Sequence, residues 1–307
     1  MNLESLISLF AAGVRLATPL VFAALGGILS ERSGVLNIGL EGMMIAGTFG
    51  GYLGGLLAGD PWAGALGGVL AGALIGFFFA VTAVFLRADQ VVLGTGINIL
   101  GLGLTSYFYR AMYKSGVSQF FPGFKVTPIP VLSEIPGLGP IFFQQIPLVY
   151  LMYFIVPLVA FILYRTTWGL KLRAVGEHPL AADTAGISVT GVRLLAVTLS
   201  GAFAGLGGAF LSVGQLSAFT EGLVAGRGFI ALAAVIFGRW DPFRSTLGCL
   251  MFGLADALQL RLQGLGIPVP IEVFLMFPYL LTLVTFILFV SRVRPPAALG
   301  KPYEGHK

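Results

Sequence analysis

The chain has 307 residues, of which 57% are hydrophobic and 10% charged, and its mean hydropathy is +0.93. Soluble domains carry about 25% charged residues, so this composition excludes a water-soluble fold. The net charge of +5 sits mostly at the ends of apolar runs, where it orients spans in a bilayer and does not indicate nucleic-acid binding.

A hydrocarbon core of about 30 Å is crossed by roughly 20 apolar residues in helix. The expected fold is therefore an all-α polytopic membrane protein of about nine transmembrane helices, with eight to ten admitted by the same pattern. In chain order the spans fall near 7–29, 34–58, 62–86, 91–111, 147–164, 191–213, 223–238, 244–260 and 272–290. The first has no basic stretch before it and contains Arg15, which marks a mature span rather than a signal peptide. Span 34–58 is broken by glycines and span 223–238 is short, so both are candidates for broken or re-entrant helices. Such breaks require protein or a water-filled cavity around them. The 44 glycines point to closely approaching backbones, because small residues line helix contacts in membranes. Cys249 is the single cysteine and reads as a small packed residue.

With the C-terminus inside, twelve Lys and Arg residues fall inside and four (Arg110, Lys114, Lys125, Arg261) outside. This bias predicts an N-terminus outside and a C-terminus inside. Residues 1–307 then form one transmembrane domain, with an outer loop at 112–146, a cytoplasmic loop at 165–190 and a cytoplasmic tail at 292–307.

The cytoplasmic loop holds Gly176-Glu177-His178-Pro179 and, further on, Ala181, Ala182 and Gly186. Pro179 suits the first position of a helix and Gly186 the position just past its end. The short helix between them carries a small-residue face formed by Ala182 and Ala185. That face either slots into a groove on a partner or lies on the membrane surface. Asn37 and Glu41 sit in a glycine-spaced apolar segment. An ionised residue within a span costs about 2.5–3.5 kcal/mol on insertion scales, so Glu41 faces a translocation path or gate, or caps nearby backbone. Asn98, Asp256 and Gln259 are read in the same two ways, as path-lining groups or as satisfied contacts between helices. Arg227 at the start of the short span is expected to pair with Glu221.

No G-x-x-x-x-G-K-[ST] is present, so the chain lacks the phosphate loop of an ATPase. The two histidines, His178 and His306, lie outside the spans. No His or Cys metal site is expected, and no catalytic residues are assigned.

Three segments carry a family likeness: Glu31 to Met43, Gly176 to Ala182, and Gly226 to Ala233. They resemble the permeases of binding-protein-dependent ABC importers, in the branch that serves branched-chain amino acids, simple sugars and nucleosides, and are closest to the nucleoside permeases. The likeness spans nearly the whole chain. It implies a permease subunit in the bacterial inner membrane, without a cofactor of its own, that moves nucleosides or related simple sugars by alternating access. ATP would be hydrolysed by a partner ATPase subunit. A second, related permease subunit would complete a heterodimer, and a periplasmic or lipid-anchored binding protein would deliver the solute. Under this resemblance Gly176, Glu177, His178, Pro179, Ala181, Ala182 and Gly186 belong to the ATPase-coupling segment. Related permeases often have ten spans, one more than the nine read here. An ion-coupled secondary carrier of a small polar solute is the competing reading, with Glu41 and Asp256 as its ionisable groups.

Overall fold

The computed structural model describes residues 3–113, 118–264 and 294–305, with Val273, Met276, Leu280 and Val284 as isolated positions. The predicted span 272–290 and His306 therefore lie outside the described residues, the four isolated positions apart. Ten α-helices are present among the described residues. They are α1 (Leu3–Arg32), α2 (Leu40–Ala58), α3 (Pro61–Val84), α4 (Gln90–Met112), α5 (Pro147–Arg165), α6 (Thr167–Glu177), α7 (Pro179–Thr184), α8 (Val189–Ala209), α9 (Arg227–Phe237) and α10 (Pro242–Gly264). Five of them, α1, α3, α4, α5 and α8 with its continuation to Leu216, are long and apolar enough to cross a membrane.

Helix α1 is the central pillar, and every residue from Ala17 to Glu31 is buried. Helices α8 and α10 pack against it most extensively, and α2, α3 and α8 pack on one another through glycines. Gly64, Gly68, Gly72 and Gly76 repeat every four residues and are buried along one face of α3. A Cβ placed on Gly72 would lie 2.5 Å from the Gly205 Cα of α8, and one on Gly76 would lie 2.8 Å from the Gly201 Cα. The two backbones are thus in direct contact, the close approach that small residues permit. On the opposite face of α3, Leu66, Leu70, Leu74 and Phe78 are exposed. A leucine stripe turned outward is what hydrocarbon solvates, whereas water would expel it.

The loops gather at two ends of the bundle. At one end, Arg32 donates to the carbonyls of Trp240 and Arg239, Tyr164 donates to Asp241, and the Gly300 amide donates to the Gly34 carbonyl. Lys171, Arg173, Arg193 and Arg244 lie in the same connections or in the helix starts that follow them, and we refer to this as the basic end. At the other end, Tyr52 meets Tyr113 through a 2.5 Å hydroxyl contact, Gln145 Nε2 donates to the Ala11 carbonyl, and Arg261 donates to Ser5. The described stretch 118–146 of the 112–146 loop lies there. Its Thr127–Pro128 strand (β1) pairs antiparallel with Gln144–Gln145 (β2), and Phe121 packs into an aromatic cluster with Phe49, Tyr52, Tyr109 and Phe219.

The two spans named as candidates for broken helices each hold one helix, continuous within its bounds and shorter than expected. The chain turns through residues 33–39 before α2 begins at Leu40. Helix α9 has 11 residues, about 16 Å at 1.5 Å per residue, half the thickness of a bilayer core.

Candidate functional site

The late start of α2 leaves amide and carbonyl groups without helical partners, and side chains from other helices meet them. Asn98 of α4 accepts from the Gly42 amide at 2.8 Å and donates to the Ile38 carbonyl at 3.1 Å. Gln90, the first residue of α4, accepts from the Leu36 amide at 2.7 Å. Asn37 is fully buried and donates to Ser200 Oγ of α8 at 2.9 Å. Glycine makes this approach possible. A Cβ on Gly42 would lie 2.5 Å from the Ile97 carbonyl oxygen.

Glu41 occupies the first turn of α2. Its Oε1 accepts from the Gly226 amide at 2.8 Å and its Oε2 from the Gly228 amide at 2.7 Å. The carboxylate is therefore the cap of α9, a helix that has no side-chain cap of its own. Negative charge at a helix N-terminus also opposes the partial positive charge of its free amides. Arg227 folds back onto the carbonyls of Leu223 and Val224 at 3.0 and 3.1 Å. Asp256 is half-buried on α10, and Gln259 is buried one turn further on.

The predicted Arg227–Glu221 pair does not form. Glu221 is instead held by Arg110 of α4 through two hydrogen bonds of 2.8 Å. Arg227 is turned away because its guanidinium satisfies carbonyls of the turn that precedes its own helix. The Arg110 hydrogen bonds hold the Glu221 carboxyl below its usual value.

At the basic end, the 165–190 loop folds into two helices. Thr166 caps α6 by accepting from the Gly169 amide at 3.2 Å. Pro179 stands in the first turn of α7, and Gly186 follows that helix with φ +80°. Gly176 packs against the Arg32 carbonyl so closely that a Cβ there has no room. Glu177 accepts from the Ala297 amide at 3.3 Å. Glu177, His178, Leu180, Ala181, Thr184 and Ala185 are exposed. Ala182 is turned the other way. It is 4% exposed and packs on Val175 and Val189. The face that α7 offers outward is thus Leu180, Ala181, Thr184 and Ala185, not the predicted face built on Ala182. Six residues of helix bring i and i+3 to one side, and the side with Ala182 is taken by α6 and α8.

The family described as branched-chain amino acid transport system / permease component matches residues 9–286. The chain belongs to this permease family. The permease is 40% identical to the guanosine ABC transporter permease protein NupQ of Bacillus subtilis, over 99% of this chain and 98% of that protein. It is 37% identical to the nucleoside ABC transporter permease protein NupC of Lactococcus lactis, over 99% of each. TsgC13 of Haloferax volcanii, a permease named for glucose, is 39% identical over 84% of this chain and 80% of its own length. Among solved structures, an inward-facing conformation of a metal-chelate type ABC transporter aligns with TM-score 0.51 and 16% identity, covering 91% of this chain and 85% of that one. That likeness concerns the fold.

In the permease, the three segments that carried the resemblance meet in space. Residues 31–43 touch residues 226–228 through Glu41 and touch Gly176 through the Arg32 carbonyl. Sequence reasoning missed α6 and Arg193. Helix α6 was signalled by Gly169, Leu172, Val175 and Gly176, which recur at helical spacing behind the cap Thr166 and are buried on one face. Arg193 lies one turn inside α8 and read only as an orienting charge, yet it is 2% exposed.

Proposed function

We propose that this permease is the membrane-spanning subunit of an ATP-driven importer for nucleosides, and that it works by alternating access. Its full-length similarity to proteins named for guanosine and for nucleosides carries this reading. The basic end would face the cytoplasm, with the N-terminus outside and the C-terminus inside. In support, the described residues before and after 265–293 lie at opposite ends of the bundle: Arg261 contacts Ser5, whereas Ala298 contacts Gly176. Nine crossings in the inner membrane fit that arrangement.

ATP would be bound and hydrolysed by a partner ATPase, which would receive the exposed side of α7 together with Glu177 and His178. A second permease subunit and a periplasmic or lipid-anchored binding protein would complete the assembly. No resident cofactor or metal takes part in this mechanism. The interrupted start of α2, held by Asn98 and Glu41, is the element proposed to shift between inward and outward states. Asp256 and Gln259 belong to the neighbouring wall of the path. An ion-coupled carrier is the weaker reading, because both oxygens of Glu41 are occupied by amides of α9.

The test is uptake of labelled uridine and guanosine by cells with and without the gene, under ATP depletion at a maintained proton gradient. Ribose, glucose and leucine serve as competitors. Gene-dependent uptake that needs ATP and resists the competitors is expected. Uptake that survives ATP depletion would favour the ion-coupled carrier. Uptake abolished by glucose would move the substrate toward sugars, as the name of TsgC13 suggests.

A further inference from the structure

Residues 294–305 return to the basic end and cross the junction between the α1–α2 turn and the α6–α7 loop. The Ala298 amide donates to the Gly176 carbonyl at 2.9 Å, and the Gly300 amide donates to the Gly34 carbonyl at 3.1 Å. Ala297 contributes the amide that meets Glu177. Tyr303 packs on the small cluster of Val175, Ala182 and Val189 that seats α7. Gly34 and Gly300 both have positive φ, +89° and +75°, a conformation that glycine adopts without steric cost.

Arg193 closes the arrangement from α8. Its Nε donates to the Ser33 carbonyl at 3.1 Å and its Nη1 to the Lys301 carbonyl at 3.1 Å. A guanidinium out of water depends on the hydrogen-bond acceptors it finds, here two carbonyls on Nε and Nη1, while Nη2 is buried without a partner. One buried cation therefore favours the arrangement in which the α1–α2 turn and the C-terminal segment are both in place. The rigid fork of arginine suits two acceptors on different segments better than a point charge does. Between the Gly34 contact and α2 there are only the turn residues that include Asn37, and Glu41 follows in the first helical turn.

We propose that residues 297–303 are a strap which, locked by Arg193, joins the α6–α7 loop and the α1–α2 turn into one mechanical unit. A displacement of α7 then reaches the start of α2, where Asn37 and Glu41 tie that helix to α8 and α9. Arg193 acts here as a positioning residue. The direction of the signal, from an ATPase at α7 toward the path, rests on the proposed function. The rigid joining of the two segments does not.

The experiment uses the assembled transporter in lipid nanodiscs, as wild type, Arg193→Gln, Arg193→Lys and a chain ending at Pro296. Amide hydrogen exchange reads residues 34–39 and 179–186, and ATP hydrolysed per nucleoside moved is measured on the same preparations. In Arg193→Gln and in the shortened chain, exchange is expected to quicken in both segments together, and ATP per nucleoside to rise at least about fivefold, the low end of ordinary coupling between sites. Arg193→Lys is expected to fall between wild type and Arg193→Gln. Faster exchange in one segment alone, or in neither, would overturn the strap, and an unchanged ATP ratio would overturn the transmission. Should Arg193→Gln fail to accumulate, the shortened chain gives the same reading with Arg193 in place. A wild type that moves no nucleoside would remove the proposed function, while the exchange result would still decide the strap.

Discussion

The Gly228 amide of α9 donates to Glu41 Oε2 of α2 at 2.7 Å, across 187 residues of sequence. With the matching bond from Gly226, one carboxylate caps the half-length helix α9 and fastens it to the late-starting helix α2. Two breaks that would each strand backbone groups in hydrocarbon are thereby resolved against each other.

Glu41→Gln tests this cap. A carboxamide presents one accepting oxygen where the carboxylate presents two, so one amide loses its partner. Hydrogen bonds to charged groups contribute about 1.5–3 kcal/mol. The variant is expected to lose stability in that range and to unfold at a lower temperature in detergent. Exchange at Gly226 and Gly228 should quicken. An unchanged melting temperature would mean that α9 is held by packing alone.

The contact between α3 and α8 leaves no space for a side chain at Gly72. Gly72→Leu is expected to push the helices apart, and overpacking of this kind costs about 1–3 kcal/mol or more. Leu70→Ala, on the exposed side of α3, is expected to leave stability nearly unchanged. The yield of monodisperse protein after extraction separates the two, and equal yields would contradict the assigned faces.

On α7, Ala181 is exposed and Ala182 is buried. Ala182→Trp is expected to lift α7 from Val175 and Val189 and lower the melting temperature. Ala181→Trp is expected to leave the melting temperature alone and weaken stimulation of the ATPase. If Ala181→Trp has no effect on ATPase assembly or activity, the partner does not read this side of the helix.

The Arg110–Glu221 pair carries a pH signature. The folded-state value of Glu221 is depressed, with the hydrogen bond from Arg110 as the largest cause. The pair therefore contributes fully above the ordinary glutamate value, and that contribution fades as pH falls through the lower folded value. Wild type is expected to melt slightly above Glu221→Gln at neutral pH, with the gap closing in acid and in high salt. The gap is small because Arg110 is largely exposed, and surface pairs contribute little. A gap that widened in acid would show that Glu221 acts through something other than its charge.

Much of the architecture was legible before folding was considered. The starts of α3, α4, α5 and α8 fall within two residues of the predicted spans, and Pro179 and Gly186 bracket α7 as their backbone preferences require. The site was legible in part. Asn37, Glu41 and Asn98 converge on the start of α2, but the predicted partner of Arg227 was wrong and Ala182 faces inward. Charge sign and proximity in sequence suggested Glu221 for Arg227, whereas the Glu221 loop actually meets the end of α4.

The sequence by itself determined that this protein lives in a bilayer and roughly where its helices run. Those properties are local, because about 20 apolar residues satisfy a membrane's thickness whatever their neighbours. Only the tertiary structure decided which polar groups meet. Glu41 with Gly228, Asn98 with Gly42, and Arg193 with Ser33 and Lys301 are joined across 56 to 187 residues. A hydrogen bond requires its two groups to approach within about 3 Å, and that distance is set by how the helices pack, not by the residues on either side of each group.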